Sequence, residues 1–293
     1  MLAMLRVTLA ALLCAGFLAS CGGSKKPLIV GSKEETEQTL LGEIVAQHLE
    51  HRLGRMVRRR TGLGGTQVLY QAILSGEVGI YPEYTGLIES EILKEPADPD
   101  PQIVLTRVRA QMSLAQIELL DPLGFDNPTA MVVSASGTEK LVSLSDSADA
   151  AKTDRRWKLG LTYDFQSRSD GLQKLSTYRL SMVAPRILDP RQLFAGLEKG
   201  DVDMIAARAT DGHLMSADWR VLADDRKVFP SYQACLLVRK DLIAAEPGLR
   251  PALAELSGKF RAETMRKLNA EVDLEHRSLA AVAADFLTQA GLH

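Results

Sequence analysis

From Leu28 onward the chain alternates short apolar runs with longer stretches whose apolar residues recur every three or four positions. Leu28-Ile29-Val30 is a β-branched run that predicts a strand, and from Glu37 to Leu53 the residues Leu40, Leu41, Ile44, Val45 and Leu49 predict a helix. Met56 to Arg60 reads as a second strand. Thr66 to Leu74 follows as a helix with Thr66 as its N-cap, and Val78 to Tyr81 as a third strand. The order then recurs after Trp157. Leu159 to Thr162 is strand-like, Gly171 to Tyr178 helical, Ser181 to Ala184 extended, Arg191 to Leu197 helical and Val202 to Ala206 extended. Strands that alternate with helices predict an α/β protein with mostly parallel sheets, and the repetition predicts two similar lobes. The closest internal echo sets Gly76-Glu77-Val78-Gly79-Ile80 beside Gly200-Asp201-Val202-Asp203-Met204, each a glycine helix stop followed by a strand. At the same offset Tyr84 falls opposite Arg208.

The first 26 residues follow a different rule. A basic residue, Arg6, precedes an apolar stretch from Val7 to Leu18, and small residues lead to Cys21. This is the layout of a targeting segment, and it is too short for a spanning helix, which needs about 20 apolar residues. Leu18-Ala19-Ser20-Cys21 resembles a bacterial lipobox. That predicts a lipoprotein signal peptide over 1–20, acylation of Cys21, and a tether over 21–26 that holds the body at the extracytoplasmic face of a membrane. Cys14 leaves with the signal, and Cys235, in an apolar run, is expected to be a buried packing residue.

Composition narrows the function classes. With 293 residues, 46% hydrophobic and 25% charged, the chain is globular, and a net charge of −2 offers no cationic field for nucleic acid. The run Arg58-Arg59-Arg60 is expected to be a solvated edge strand, because alternate strand residues point to opposite faces. The five histidines, expected at the surface, have no metal-site spacing. The chain has no GxSxG elbow, P-loop or HExxH helix, so no enzymatic chemistry, metal or cofactor is expected.

Open α/β sheets bind ligands beyond the carboxyl ends of their strands. The loops so placed are Gly31-Ser32-Lys33, Tyr81 to Gly86, Tyr163 to Gly171 and Ala207 to Gly212, which carry the polar and aromatic groups of a small-molecule pocket. Gly64-Gly65-Thr66 could receive an anion at a helix start or serve as a plain turn and cap.

At these loops the sequence resembles the substrate-binding proteins of glycine betaine and choline ABC importers. The resemblance lies in GSKEETEQTLLGE at 31, LGGTQVLYQAILSGEVGIYPEYTG at 63, DPLGFDN at 121, RSDG at 168, TDG at 210 and FPSYQA at 229. It implies a two-lobed type II periplasmic binding protein, with lobe one over 27–127 plus 233–293 and lobe two over 128–232. It also implies a monomer that delivers a betaine-like, anionic or zwitterionic solute to an ABC permease with its ATPase. A ligand-sensing receptor domain for a membrane partner is the alternative. The resemblance implies Lys33, Tyr84, Arg168 and Tyr232 as ligand residues, and with the neighbouring loop residues the candidate set is completed by Thr85, Asn127, Thr129, Arg208, Thr210 and Asp211.

Two positions depart from the family pattern. Family members hold a quaternary ammonium against tyrosine faces, and rings expected at two places are here Thr129 and Arg208. Losing two rings costs about 2 to 4 kcal/mol of cation–π attraction, roughly 30- to 700-fold in affinity. Arg208 adds a guanidinium, which suits a carboxylate or phosphate, and could alternatively close a salt bridge to Glu83 or Asp211.

Overall fold

A computed structural model of the protein describes residues 27–150 and 156–292. The leader, the lipobox cysteine Cys21 and the tether lie outside the described residues. Two five-stranded sheets organise the chain. The first contains β1 (Leu28–Gly31), β2 (Val57–Arg60), β3 (Ile80–Tyr84), β4 (Ile117–Leu119) and β10 (Ala234–Arg239), in the order β2-β1-β3-β10-β4. The second contains β5 (Thr129–Ser134), β6 (Leu159–Leu161), β7 (Arg186–Ile187), β8 (Met204–Arg208) and β9 (Trp219–Leu222), in the order β7-β6-β8-β5-β9.

Each sheet is mixed in the same way. β1 runs parallel to β2 and β3, while β10 is antiparallel to both β3 and β4. In the second sheet β6 is parallel to β7 and β8, and β5 is antiparallel to β8 and β9. The reversed strand in each case is the one that begins where the chain arrives from the opposite lobe. The two connecting segments meet each other. Asp126 bridges Gln233, the Asn127 amide donates to the Tyr232 carbonyl at 3.1 Å, and the Ala234 amide donates to the Phe125 carbonyl at 3.2 Å.

The helix Thr36–Leu53 shows how the first lobe closes its core. Leu40, Leu41, Ile44, Val45 and Leu49 are all buried, and the helix packs against the helices Leu279–Gln289 and Leu249–Ala254. His48 lies on this helix with no exposed surface, and its Nε2 is 2.8 Å from the Ala252 carbonyl. The expectation of surface histidines fails there, because a helix surrounded on several sides leaves no solvated face. Burial also holds the His48 imidazole below its usual pKa.

Other departures are local. Helix Thr66–Ser75 has Gly65, not Thr66, at its N-cap. The segment 181–184 contributes only the bridge Trp157↔Met182, and the strand beside β6 is Arg186–Ile187. Leu172–Tyr178 forms a 3₁₀ helix. β3 begins and ends later than its apolar run, and its five residues are all buried, Glu83 and Tyr84 included. Polarity disguised that strand. β2 is the sheet-edge strand expected from its arginines, with Arg59 held by Glu43 and Glu50, and Cys235 is fully buried in β10.

Candidate ligand site between the lobes

The internal echo has a structural counterpart. Gly76 and Gly200 both stop helices in the left-handed region, at φ 83° and 72°. The strands that follow, Ile80–Tyr84 and Met204–Arg208, end at equivalent places in their two sheets. Tyr84 and Arg208 therefore stand at the carboxyl ends of matching strands, where the two lobes face each other.

Tyr84 and Tyr232 form an edge-on pair with ring centroids 6.5 Å apart. Their closeness depends on Gly86, where a Cβ would collide with the Tyr232 ring and lie 2.7 Å from the Ser231 carbonyl. The protein's own cations already stand over both rings. Lys33 Nζ is 5.3 Å from the Tyr84 centroid, and the guanidinium carbons of Arg168 and Arg208 are 5.7 and 5.4 Å from that of Tyr232. Such positions attract positive charge through the ring quadrupole.

The three cations differ in how they are balanced. Lys33 Nζ donates to Glu83 Oε1 at 2.7 Å and to Thr66 Oγ1 at 3.2 Å, all buried. Arg168 donates to Asp170 at 2.8 Å, to Asp164 at 2.9 Å and to the Tyr232 hydroxyl at 3.1 Å. The Tyr232 hydroxyl in turn donates to the other oxygen of Asp170. Arg208 has no ion pair among the described residues. The carboxylates that could have met it are engaged elsewhere, Glu83 with Lys33 and Asp211 with His213 at 2.9 Å. Burial, with Arg168 nearby, holds the Arg208 guanidinium below its ordinary pKa.

A second group of polar residues fixes Tyr84 from behind. The Tyr84 hydroxyl donates to Glu37, and Asn127 Nδ2 donates to the same carboxylate oxygen at 3.0 Å. Asn269 Nδ2 reaches the other Glu37 oxygen at 2.8 Å. Burial pushes the Glu37 carboxyl above its ordinary pKa, against the pull of Tyr84, Asn269 and Arg208. Asn127 also accepts from the Thr210 amide at 3.2 Å, which joins the crossing segment to the second lobe.

The remaining sequence-derived residues fall in the same region. Thr129 pairs with Arg208 in the β5–β8 register. Thr85 follows Tyr84, and its hydroxyl is buried with no partner among the described residues. Asp211 closes the turn after Arg208 through its amide, at 3.0 Å from the Arg208 carbonyl. Sequence reading missed Glu37, Asp170 and Asn269. Glu37 and Asp170 lie inside the quoted stretches GSKEETEQTLLGE and RSDG, whereas Asn269 sits in a C-terminal helix with no motif around it. Among the described residues no three potential ligands gather as a metal site, and no helix is long and apolar enough to cross a membrane.

The family model for the substrate-binding domain of ABC-type glycine betaine transport systems matches residues 26–289. The chain belongs to this family. Its members are solute-binding domains of transport systems, not enzymes. The chain is 32% identical over 291 residues to the glycine-betaine-binding protein of Pseudomonas aeruginosa, covering 95% of this chain and 92% of that one. It is 30% identical over 281 residues to the carnitine transport binding protein OpuCC of Listeria monocytogenes, covering 92% and 91%. It is also 31% identical over 273 residues to the ergothioneine transport permease/ergothioneine binding protein EgtU of Helicobacter pylori. That match takes in 92% of this chain and 48% of the relative, so the chain spans about half of its length. Among solved structures, one described as a glycine betaine/carnitine/choline ABC transporter superposes with a TM-score of 0.82 at 24% identity, over 90% of this chain and 99% of that one. Apo YehZ from Escherichia coli superposes with a TM-score of 0.74 at 28% identity, over 92% and 100%. The glycine betaine transport family thus has, in this chain, the two-lobed architecture of periplasmic binding proteins.

Proposed function

We propose that this protein is the lipid-anchored, extracytoplasmic solute receptor of an ABC importer, and that its ligand is a small zwitterion or anion whose carboxylate meets Arg208. The family description and the relatives' names support import over sensing, and the lipobox ending at Cys21 supports the anchor. Lobe one then comprises 27–127 with 233–293, and lobe two 128–232.

The observation that carries the ligand class is the charge balance. Lys33 and Arg168 are each matched by carboxylates, while Arg208 lies partly buried over the Tyr232 ring without one. A partly desolvated guanidinium without a counter-ion gains most when an anion arrives, and it binds carboxylates in bidentate geometry. Three cations standing over the two rings leave the site less suited to a bare quaternary ammonium than a cage with four free aromatic faces. The hydroxyls of Thr85, Thr129 and Thr210 supply short polar contacts around the anionic end, Asn127 and Asp211 hold the turn that follows Arg208, and the rings of Tyr84 and Tyr232 wall the remainder. Closing the lobes around such a ligand excludes water and strengthens each charge interaction. Lobe arrangement then becomes a ligand-dependent equilibrium that a permease can read.

The test is a thermal-shift panel with glycine betaine, carnitine, ergothioneine, choline, amino acids and dicarboxylates. A ligand at 100 times its dissociation constant stabilises by about 2.7 kcal/mol. Solutes with a carboxylate are expected to raise the melting temperature and choline, which has none, to leave it unchanged. Choline binding as tightly as the carboxylated betaines would overturn the assignment.

A further inference from the structure

The loop that follows Arg208 is held by a helix from the opposite lobe. Helix Ala262–Asp273 belongs in sequence and packing to the first lobe, where Met265 and Leu268 join the core formed with the helix Thr36–Leu53. Its other face touches the second lobe. Arg266 Nε donates to the Ala209 carbonyl at 2.6 Å, and Asn269 Nδ2 donates to the Thr210 carbonyl at 2.8 Å. The approach is close enough to exclude a side chain at position 212. A Cβ on Gly212 would lie 2.6 Å from the Ala270 amide nitrogen and 2.7 Å from its Cα.

The Thr210 peptide is thereby gripped at both ends. Its amide is taken by Asn127 and its carbonyl by Asn269, and both of those side-chain amides also donate to Glu37. Glu37 is the same carboxylate that receives the Tyr84 hydroxyl. A single buried group thus fixes a ring at the end of β3 and, through two amides, the turn that carries the guanidinium at the end of β8.

We propose that Asn269 and Arg266 are positioning residues for the ligand site, fixing the Arg208–Gly212 turn against the first lobe so that Arg208 keeps one placement relative to Tyr84. Neither residue reaches the rings. The grip includes Asn127, whose own amide donates to the Tyr232 carbonyl where the two crossing segments pair. Its role in binding rests on the reading of this region as the ligand site, whereas its role in holding the lobes does not.

The experiment compares Asn269→Ala, Arg266→Ala and the unaltered protein by small-angle X-ray scattering without ligand, and by calorimetric titration with glycine betaine, carnitine and ergothioneine. Arg266 is partly exposed, so its truncation keeps the test available should Asn269→Ala fail to fold. The expected result is a larger ligand-free radius of gyration in the variants, with binding of any responding probe weakened about 5- to 15-fold, as for loss of one or two hydrogen bonds. A larger radius with no response to any probe, even from the unaltered protein, supports the grip and counts against the ligand reading. An unchanged radius overturns the proposal, and so does undiminished affinity for a probe that binds the unaltered protein.

Discussion

The Arg208 guanidinium lies 5.4 Å from the centroid of the Tyr232 ring and has no carboxylate partner among the described residues. Its neighbour Arg168, 5.7 Å from the same ring, has Asp164 and Asp170. The two arginines flank one aromatic side chain and differ in whether the protein has already balanced them. On the proposed function, that difference separates a residue that shapes the site from one left open to a ligand.

Replacing Arg208 by Gln should therefore weaken binding of a carboxylated solute without weakening the fold. Hydrogen bonds to charged groups contribute about 1.5–3 kcal/mol, so affinity should fall roughly 10- to 150-fold. Calorimetric titration measures the loss. The melting temperature of the ligand-free protein should stay the same or rise, since the variant removes a partly buried charge that has no ion-pair partner among the described residues.

Tyr232→Phe keeps the ring and deletes the hydroxyl that accepts from Arg168 and donates to Asp170. A buried carboxylate that loses a donor costs about 1–3 kcal/mol. Chemical denaturation should record a destabilisation of that size, and Tyr232→Ala, which also removes the ring wall, a larger one.

Lys33 and Glu83 form a buried pair at 2.7 Å, and the second Glu83 oxygen has no partner among the described residues. Lys33→Met should cost about 3–5 kcal/mol, because it strands a buried carboxylate. The double variant Lys33→Met with Glu83→Gln should recover most of that loss in unfolding experiments. Equal losses in the single and double variants would mean that the pair does not balance itself.

Glu37 carries a carboxyl that burial holds above its unfolded value near 4.5, with Tyr84 and Arg208 as the ionisable groups that face it. The folded state then binds the proton more tightly than the unfolded state. The stabilisation this gives is complete below the unfolded pKa and is lost as pH rises through the folded one. Glu37→Gln, which mimics the protonated group, should remove this component. The gap in melting temperature between variant and unaltered protein should change across that window and level off on its alkaline side. A gap that is constant with pH would place the Glu37 pKa at its ordinary value.

Cys235 is fully buried in β10, and burial pushes its thiol up to about 12. It should resist alkylation at neutral pH in the folded protein and react upon unfolding. Mass spectrometry before and after denaturant reads both states.

Much of this was legible in the sequence. The alternation of apolar runs fixed the class of fold, because burial of one helix face or one sheet surface leaves a periodic trace wherever it occurs. The 124-residue echo located the ends of two matching strands, and with them Tyr84 and Arg208. The Arg168 and Tyr232 loops carried recognisable motifs. What the pattern could not carry was pairing between distant segments. Glu83 reads as a loop carboxylate until β3 is seen to bury it against Lys33, and Asn269 reads as an ordinary helix residue until its helix is seen to cross to the other lobe. The reversed strands β5 and β10 were equally hidden, since apolar periodicity records burial and says nothing of direction. Most consequential is the balance of charge. Sequence counts arginines and carboxylates, but which of them neutralise one another depends on distances of a few ångströms between residues up to 203 positions apart. Only the tertiary structure shows that Lys33 and Arg168 have ion-pair partners and Arg208 has none among the described residues, and the proposed ligand class turns on that.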